Sequence, residues 1–247
     1  MNIKKVIGVL SCKGGVGKST ISINLSTFFA SFFFKKVGLL DADIQGSSHS
    51  ILLGLDDKIK MNLKGKKFLP VKKYNISTMS LSYFINNSDP ILLRGPMISN
   101  TINYIYNNTL WNNLDVLFID FPPGTGDIYL SILRDIKIDG VFLITTPHLL
   151  SIEHVKKSYS MLKKFNIKVL GILENMSYHE CLNCGDKKFI SSFDYLNYFI
   201  DLNPSNIFRL SYDFFITKSS NNGIPFIFYN SCYKKNFIFK NMCKLFL

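Results

Sequence analysis

A glycine-rich stretch near the start of the chain carries two lysines and a serine at a spacing suited to binding phosphate. It reads Lys13-Gly-Gly-Val-Gly-Lys-Ser-Thr20, and it lies between an apolar run, Val6 to Leu10, and a helical pattern that begins near Lys18. Glycines allow successive backbone N–H groups to turn toward phosphate oxygens, and a helix N-terminus adds its positive dipole end. The stretch therefore predicts a phosphate-binding loop in a nucleotide-binding protein.

Each residue of this loop has an expected task. Lys18 would neutralise the β- and γ-phosphates, and Ser19 would offer its hydroxyl to Mg²⁺, with Thr20 beside it. The remaining contacts to phosphate are expected from the backbone of Gly14, Gly15, Val16 and Gly17. The strict pattern G-x-x-x-x-G-K-[ST] requires a glycine where this chain has Cys12, but the strand, turn and helix context of the motif is kept.

Acidic residues end two of the apolar runs that follow. The first set is Asp41-Ala-Asp43, and the second opens the segment Asp120-Phe-Pro-Pro-Gly-Thr-Gly-Asp127. A carboxylate at the tip of a buried strand is costly unless it faces a cation, which a Mg²⁺-nucleotide supplies. We therefore expect Asp120 in the Mg²⁺ shell, Asp43 to orient or activate the attacking water, and Asp41 to be structural or to lie just outside the direct ligands of the metal. The alternative is that these acids are solvated loop caps.

The segment after Asp120 also has the composition of a switch. In Pro122-Pro-Gly-Thr-Gly126 the prolines stiffen the entry and the glycines supply a hinge. Such a segment would respond to the γ-phosphate.

A C-x-x-C pair, Cys181 and Cys184, follows the last apolar run. Two thiolates can share one metal, yet tetrahedral zinc or a [4Fe-4S] cluster requires four ligands. Cys12, Cys232 and Cys243 do not form a second pair, whereas a symmetric dimer would supply two more thiolates across its axis. The sequence thus indicates a metal held between two copies of the chain. Thiol–disulfide exchange is the competing interpretation.

The histidines are expected to be surface or loop residues rather than ligands. They are His49, His148, His154 and His179. Only His179, two residues before Cys181, is close enough in sequence to merit a test as a ligand.

Short apolar runs recur along the chain with helical patterns between them. Their continuous rather than alternating apolar character indicates strands buried on both faces. The sequence therefore predicts an α/β fold, a doubly wound, mostly parallel sheet flanked by helices, as one domain over residues 1–247. The C-x-x-C insertion is placed near 176–190 and a C-terminal helix near 231–247. Functional loops should lie at the C-terminal ends of the strands. The runs are Val6–Leu10, Val37–Leu40, Ile76–Leu81, Val116–Ile119, Val141–Ile144 and Val169–Leu173.

Composition limits the classes of protein to consider. The chain has 247 residues, of which 47% are apolar, enough for a buried core. Five cysteines, an odd number, and no signal-peptide pattern favour a reducing cytoplasm, and no apolar run is long enough to span a bilayer. The net charge of +12 is spread along the whole chain, so we expect compositional drift and no nucleic-acid partner.

The Lys13 loop, the Asp41-Ala-Asp43 set and the Asp120–Asp127 segment together resemble the deviant-Walker-A ATPases. This class contains MinD, ParA, the nitrogenase iron protein and the Mrp/ApbC iron–sulfur carriers. In that class the extra lysine reaches across a nucleotide-sandwich dimer, which implies that Lys13 acts on the partner's phosphates. ParA-like relatives tolerate a residue other than glycine at the position of Cys12.

Further segments are similar to the Mrp/ApbC branch in particular. They are Arg94-Gly-Pro-Met97 and Glu174-Asn-Met-Ser-Tyr178 ahead of the C-x-x-C-G. The resemblance runs from about residue 3 to Gly185 and weakens beyond it, although Gly223-Ile-Pro225 still matches. It departs at Gln45-Gly-Ser-Ser48, where the family usually has Tyr-Gly-Pro-Ser.

The resemblance implies an ATP-hydrolysing carrier that uses Mg²⁺, holds an iron–sulfur cluster at a homodimer interface and passes it to apoproteins. It implies a [4Fe-4S] cluster on Cys181 and Cys184, Asn175 as the adenine contact, and iron–sulfur assembly proteins as partners. Lys13, Lys18 and Asp43 are the expected catalytic residues. No stable membrane association is expected.

A positioning or partition ATPase acting on membrane or DNA is the alternative function. Its support is the basic amphipathic stretch from Tyr233 to Leu247, of a kind that lies on anionic bilayers. The other interpretation of this stretch, which we prefer, is a last helix packed on the sheet.

Overall fold

A computed structural model of the chain describes residues 2–43, 46, 48–55, 62–84, 95–181, 183–191, 199, 202–229 and 233–247. The strands are β1 (Ile3–Ser11), β2 (Val37–Asp41), β3 (Leu63–Lys64), β4 (Lys67–Phe68), β5 (Val71–Lys73), β6 (Ile76–Ser80), β7 (Leu114–Asp120), β8 (Gly140–Thr145), β9 (Val169–Glu174), β10 (Tyr178–Glu180), β11 (Lys187–Phe189) and β12 (Ile207–Arg209). The helices are α1 (Lys18–Phe32), α2 (His49–Leu52), α3 (Gly95–Asn108), α4 (Asp127–Asp135), α5 (Leu149–Lys164), α6 (Phe214–Asn221) and α7 (Tyr233–Lys244).

One eight-stranded sheet, in the order β12-β9-β8-β1-β7-β2-β6-β5, forms the centre of the protein. Its strands pair in parallel except β5, which runs antiparallel to β6 at one edge. The predicted mostly parallel sheet is therefore confirmed. All the predicted runs are strands, but the third ends at Ser80 rather than Leu81, where a 3₁₀ turn begins.

Sequence reasoning missed the two edge strands, β5 and β12. Each has three residues, and each is only partly buried. An edge strand pairs on one side only, so it does not need the continuous apolar run by which the central strands were recognised. The strands of the separate hairpins β3–β4 and β10–β11 were also not predicted, because they too lack a continuous apolar run.

Helices cover both faces of the sheet. Successive residues of β1 alternate between two cores: Val6 packs with residues of α3, α4 and α5, whereas Ile7 packs with residues of α1 and α7. This alternation is what a strand with both faces buried requires. The doubly wound arrangement predicted from the sequence is confirmed, and it places the strand ends that carry the acids along one edge.

The C-terminal helix packs on the sheet. Phe239, Met242 and Cys243 are fully buried, and the Phe246 ring lies 5.1 Å from that of Phe29 and 5.6 Å from that of Phe118. The preferred interpretation of the stretch after Tyr233 therefore agrees with the structure, and the main support for a membrane-acting ATPase is lost. In the described part of the chain, none of the helices has the length and apolar character that crossing a membrane requires.

Substituting Phe246 tests this packing. We expect Phe246→Leu to lower the free energy of unfolding by about 1 kcal/mol and the melting temperature by about 3 °C, because leucine loses the ring contacts. Phe237, in the same C-terminal segment, is 65% exposed, so Phe237→Leu should change the free energy by less than about 0.5 kcal/mol. Denaturation followed by circular dichroism compares the two variants. Equal losses would show that the segment is not part of the core.

Candidate functional site

The glycine-rich loop connects β1 to α1, as the sequence predicts. Gly15 and Gly17 have φ angles of 78° and 85°, which residues with a side chain rarely adopt. Gly14 and Gly15 are exposed, while Lys18 is only 6% exposed at the first position of the helix. The loop thus presents backbone to solvent directly at a helix N-terminus, which is the arrangement that binds phosphate.

The sheet register brings the two predicted acidic positions together. Asp41 and Asp120 are directly opposite each other at the C-terminal ends of β2 and β7, and both are buried. Asp120 Oδ1 accepts a hydrogen bond from Lys18 Nζ at 2.8 Å. Asp41 accepts one from Ser80 Oγ at 2.9 Å and one from the backbone N–H of Asp43 at 3.0 Å. The Asp41 carboxylate therefore fastens the start of the Asp43 loop to strand β6.

The pKa values of Asp120 and Asp43, two acids near the loop, shift in opposite directions. Burial by itself would raise the pKa of Asp120, but Lys18 and His49 together lower it, so this carboxyl is ionised. Burial raises the pKa of Asp43; Lys18 opposes that rise and Asp41 adds to it. An ionised acid is suited to a cation, and an acid of raised pKa is better suited to accept a proton from water.

An open cleft of about 500 Å³ lies between the phosphate loop and the acidic loops, within the size range of ligand pockets. The predicted switch segment is tied to the end of β1, since Gly124 N–H donates to the Ser11 carbonyl at 3.0 Å. Lys13, Ser19 and Thr20 are partly exposed around the same loop. The cleft is lined by Gly14, Gly15, Ala42, Asp43, Gly46, Ile98, Pro122, Pro123, Gly126, Asp127, Ile128 and Tyr129.

Asn175, which directly follows β9, lies against the phosphate loop. Its Nδ2 donates to the Val16 carbonyl at 2.9 Å, and its Oδ1 accepts from the Met176 backbone N–H at 3.0 Å. Its own backbone N–H donates to the Thr145 carbonyl at 2.8 Å, which holds it at the end of β8. In this structure Asn175 supports the loop. Its contact with adenine stays a prediction.

Cys12, where the strict pattern has glycine, packs the loop onto α5. Its Sγ lies 2.9 Å from Ser158 Oγ and 3.1 Å from the His154 carbonyl oxygen. Burial raises the pKa of this thiol, and the Ser158 hydroxyl partly offsets the rise. The departure from glycine thus has a packing explanation that the sequence pattern did not provide.

The prediction for His49 was wrong. Instead of a surface or loop position, it begins α2 and is fully buried, with Nε2 2.9 Å from Asp120 Oδ2. Burial lowers the pKa of His49, but Asp41 and Asp120 raise it by more. A single histidine after a loop has no periodicity that would reveal burial. The other histidines are exposed, as expected.

Asp41, His49 and Asp120 make up a group of potential metal ligands. Their nearest ligand atoms all lie within 4.8 Å of one another, and no other group of three or more such side chains occurs among the residues described. Carboxylate oxygens are the donors that Mg²⁺ prefers. The carboxylates of this group therefore fit the Mg²⁺ predicted at Asp120, whereas an imidazole is a ligand for transition metals.

The C-x-x-C pair is carried by the β10–β11 hairpin, within the predicted insertion. Cys181 N–H donates to the Asp186 carbonyl at 2.8 Å, and Gly185, with a φ of 72°, donates to the Cys181 carbonyl at 2.9 Å. Both thiols are free; Cys184 is exposed and Cys181 partly so. Among the described residues no third histidine, cysteine or acid joins them, His179 included. In the part of the chain that the structure covers, the pair thus offers two of the four ligands that tetrahedral zinc or a [4Fe-4S] cluster requires.

The turn between the two cysteines predicts a difference in reactivity. Hydrogen bonds from the backbone of Cys184 and of Asn183 lower the pKa of Cys181, because they stabilise its thiolate. We expect Cys181 to react severalfold faster than Cys184 with iodoacetamide at pH 7, and to keep reacting as the pH falls further, since the thiolate is the nucleophile. Mass spectrometry of the Cys181→Ser and Cys184→Ser variants compares the remaining thiols. Equal rates would contradict the assignment.

Some residues of the predicted segments are not described by the structure. These are Arg94 in the Arg94–Met97 segment, Gln45 and Ser47 in the loop after Asp43, Cys232, and the first residues of the C-terminal helix predicted near 231–247. The predictions made on them lie outside the described residues.

The chain is similar in sequence to curated proteins from bacteria and plants. An iron-sulfur cluster carrier protein of Pseudomonas fragi is 40% identical over 185 residues, which cover 74% of this chain and 64% of that protein. The iron-sulfur protein required for NADH dehydrogenase, mitochondrial, of Arabidopsis thaliana is 36% identical over 188 residues, which cover 76% and 60%. The chain therefore spans less than two thirds of the length of these relatives.

The chain is also similar to solved structures, and a family model matches it. The nucleotide-binding protein of Archaeoglobus fulgidus in complex with ADP has a TM-score of 0.78 and 33% identity, covering 94% of this chain and 91% of that one. The cell division ATPase MinD of Pyrococcus furiosus has a TM-score of 0.70 at 18% identity, covering 98% of each chain, which shows the fold alone. The model for ParA, described as NUBPL iron-transfer P-loop NTPase, matches residues 2–246. With its phosphate loop, paired strand-end acids and C-x-x-C hairpin, this chain belongs to that family of iron-transfer P-loop NTPases.

Proposed function

We propose that this chain is an ATP-binding and ATP-hydrolysing iron–sulfur cluster carrier that works as a homodimer in a reducing cytoplasm. One observation carries the proposal: a phosphate loop with its acids and an exposed pair of cysteines occur in the same chain. The names of the relatives support the iron–sulfur half of the proposal, and the ADP bound by the Archaeoglobus protein supports the nucleotide half.

In the nucleotide half, Lys18 would exchange its bond with Asp120 for the β- and γ-phosphates. Ser19 and Asp120 would hold Mg²⁺, which neutralises phosphate charge when bound. Gly14, Gly15, Val16 and Gly17 would contact phosphate through their backbone, with Thr20 beside them. Asp43, with its raised pKa, would orient or deprotonate the attacking water.

Lys13 would act in the second subunit. It is partly exposed at the front of the loop, where a partner's nucleotide can be reached only if two copies face each other. An extra cation delivered across a dimer stabilises the charge of the transferring phosphoryl group. We therefore expect Lys13→Ala to bind ADP normally but to hydrolyse ATP slowly, whereas a variant of Lys18 should lose both.

In the cysteine half, Cys181 and Cys184 of two subunits would hold one [4Fe-4S] cluster. Two thiolates from each copy complete the four ligands that such a cluster requires. Exposed thiolates on a hairpin remain accessible to iron–sulfur assembly proteins that load the cluster and to apoproteins that receive it. No nucleic-acid partner or stable membrane association belongs to this proposal.

Anaerobic reconstitution with iron and sulfide tests the carrier function. We expect a brown chromophore with about two irons and two sulfides per chain, bound to a dimer, because four thiolates of two chains hold a four-iron cluster. The Cys181→Ala, Cys184→Ala double variant should lose it, and Cys243→Ala, which changes a buried thiol on α7, should retain it. A colourless wild-type protein, or a chromophore that survives the double substitution, would refute the proposal.

A further inference from the structure

The carboxylate of Asp120 is held from two sides. Lys18 Nζ lies 2.8 Å from Oδ1, and His49 Nε2 lies 2.9 Å from Oδ2. Both partners are buried with it: Lys18 is 6% exposed, and His49 and Asp120 are 0% exposed. The two contacts use different oxygens, so one can be released while the other is kept.

Nucleotide binding affects the two partners of Asp120 differently. Lys18 belongs to the phosphate loop, and its task there requires it to leave Oδ1. His49 belongs to α2 and contacts the other oxygen, so its contact with Asp120 can persist when Lys18 moves. We propose that His49 is a positioning residue for the magnesium site: it holds Asp120 through Oδ2, so that Oδ1 faces the metal once Lys18 turns to the phosphates. This inference rests on the proposed function.

His49 is mounted on a segment that is itself fixed. The backbone N–H of Leu53 donates to the His49 carbonyl at 3.0 Å, and Gly54 follows at once. Gly54 packs so closely against Gly223 that a Cβ on Gly223 would lie 2.3 Å from the Gly54 Cα. The segment that carries His49 is thereby held at its C-terminal end by Gly223, while the imidazole itself contacts Asp120.

Packing alone does not account for a histidine here. Its Nδ1 is buried and has no hydrogen-bond partner among the residues that the structure describes. A buried polar atom without a partner is unfavourable, and an aliphatic side chain would fill similar space without that disadvantage. The ring is therefore explained by what Nε2 does. Nε2 contacts Asp120 Oδ2 at 2.9 Å, while the Asp41 oxygens accept hydrogen bonds from Ser80 Oγ and from the Asp43 backbone N–H.

Metal binding in the nucleotide complex tests the inference directly. Mn²⁺, which is visible by electron paramagnetic resonance, is titrated into the full chain with saturating ADP, and ADP affinity is measured separately in EDTA. His49→Leu should weaken Mn²⁺ binding about tenfold or more, as loss of a residue that orients a ligand does, and leave ADP affinity in EDTA unchanged. His49→Gln, whose amide N–H can replace Nε2–H, should retain most of the Mn²⁺ affinity.

The outcomes separate the inference from the proposed function. Equal Mn²⁺ affinity in wild type and His49→Leu would overturn the positioning role while nucleotide binding stands. The role would also be overturned if His49→Leu lost as much ADP affinity in EDTA as it lost Mn²⁺ affinity. A wild-type protein that binds no ADP would overturn both. Should His49→Leu not fold, ¹⁵N spectra of the wild-type imidazoles decide: a protonated, hydrogen-bonded Nε2 in the Mg²⁺–ADP complex supports the role, and an unprotonated Nε2 overturns it.

Discussion

Lys18→Ala is expected to abolish nucleotide binding and also to destabilise the protein in the absence of nucleotide. The first effect, a loss of about 100-fold or more in ADP affinity, corresponds to roughly 2.7 kcal/mol or more and follows from removing the cation that faces the phosphates. The second follows from the 2.8 Å bond between Lys18 and Asp120, since both groups are buried. Removing one partner of a buried pair typically costs about 3–5 kcal/mol.

The loss of stability should depend on pH in a defined direction. The folded protein lowers the pKa of Asp120, so this carboxylate stabilises the fold above its ordinary pKa, near 4, and the stabilisation disappears as the pH falls through the lower folded value. Without Lys18 that stabilisation shrinks. The difference between wild type and Lys18→Ala should thus be largest near neutral pH and narrow on acidification.

Lys13→Ala is the matched control, because Lys13 is a partly exposed lysine of the same loop. Its melting temperature and ADP affinity should stay near those of wild type. Urea denaturation without nucleotide measures stability at each pH, and calorimetric titration measures ADP binding. A Lys18→Ala variant as stable as Lys13→Ala would show that the bond to Asp120 does not form in the nucleotide-free protein.

Gly17→Ala is the second substitution with a large expected effect. Gly17 has a φ of 85°, and a Cβ there would lie 2.4 Å from Asn175 Nδ2. The strained backbone costs about 1–3 kcal/mol. The clash would also break the bond from Asn175 to the Val16 carbonyl, which shapes the loop. We expect a loss of about 1–3 kcal/mol in stability and at least tenfold weaker ADP binding, the latter from roughly 1.4 kcal/mol of lost loop support.

Two further variants test whether the clash with Asn175 causes the loss of stability in Gly17→Ala. A Cβ on Gly14 would meet nothing within 4 Å, so Gly14→Ala should keep the stability of wild type. In the double variant Gly17→Ala, Asn175→Ala the clash is absent, so its loss of stability should be smaller than the sum of the losses of the two single variants. Fully additive losses, measured by denaturation, would show that Asn175 is not what Gly17 accommodates.

The parts of the molecule that the sequence predicted are those encoded locally. The Lys13–Thr20 loop is defined by glycines and a lysine at fixed spacing, and the central strands by continuous apolar runs. The prediction that functional loops lie at the C-terminal ends of the strands followed from one rule for parallel sheets, and Asp41 and Asp120 do end β2 and β7 opposite each other.

The contacts that the sequence did not predict are made between residues far apart in the chain. His49 meets Asp120 across 71 positions, and Asn175 meets Val16 across 159. Cys12 meets Ser158 across 146. In each case the chain folds a single polar side chain against a distant backbone or side-chain atom, which leaves no periodic pattern. Only the three-dimensional path of the chain could place them.

The hairpin that carries the cysteines is hydrogen-bonded as a small unit of its own. Strands β10 and β11 form a separate two-stranded sheet, joined to the body through Ser177 to Leu210 and through Tyr212 to Tyr178. A unit of this kind can open while the eight-stranded sheet stays folded. Because ligand binding stabilises the folded form of its site, a loaded cluster would slow amide exchange in the hairpin alone. The opening free energy of this hairpin, rather than the stability of the whole protein, would then govern how readily the cargo leaves.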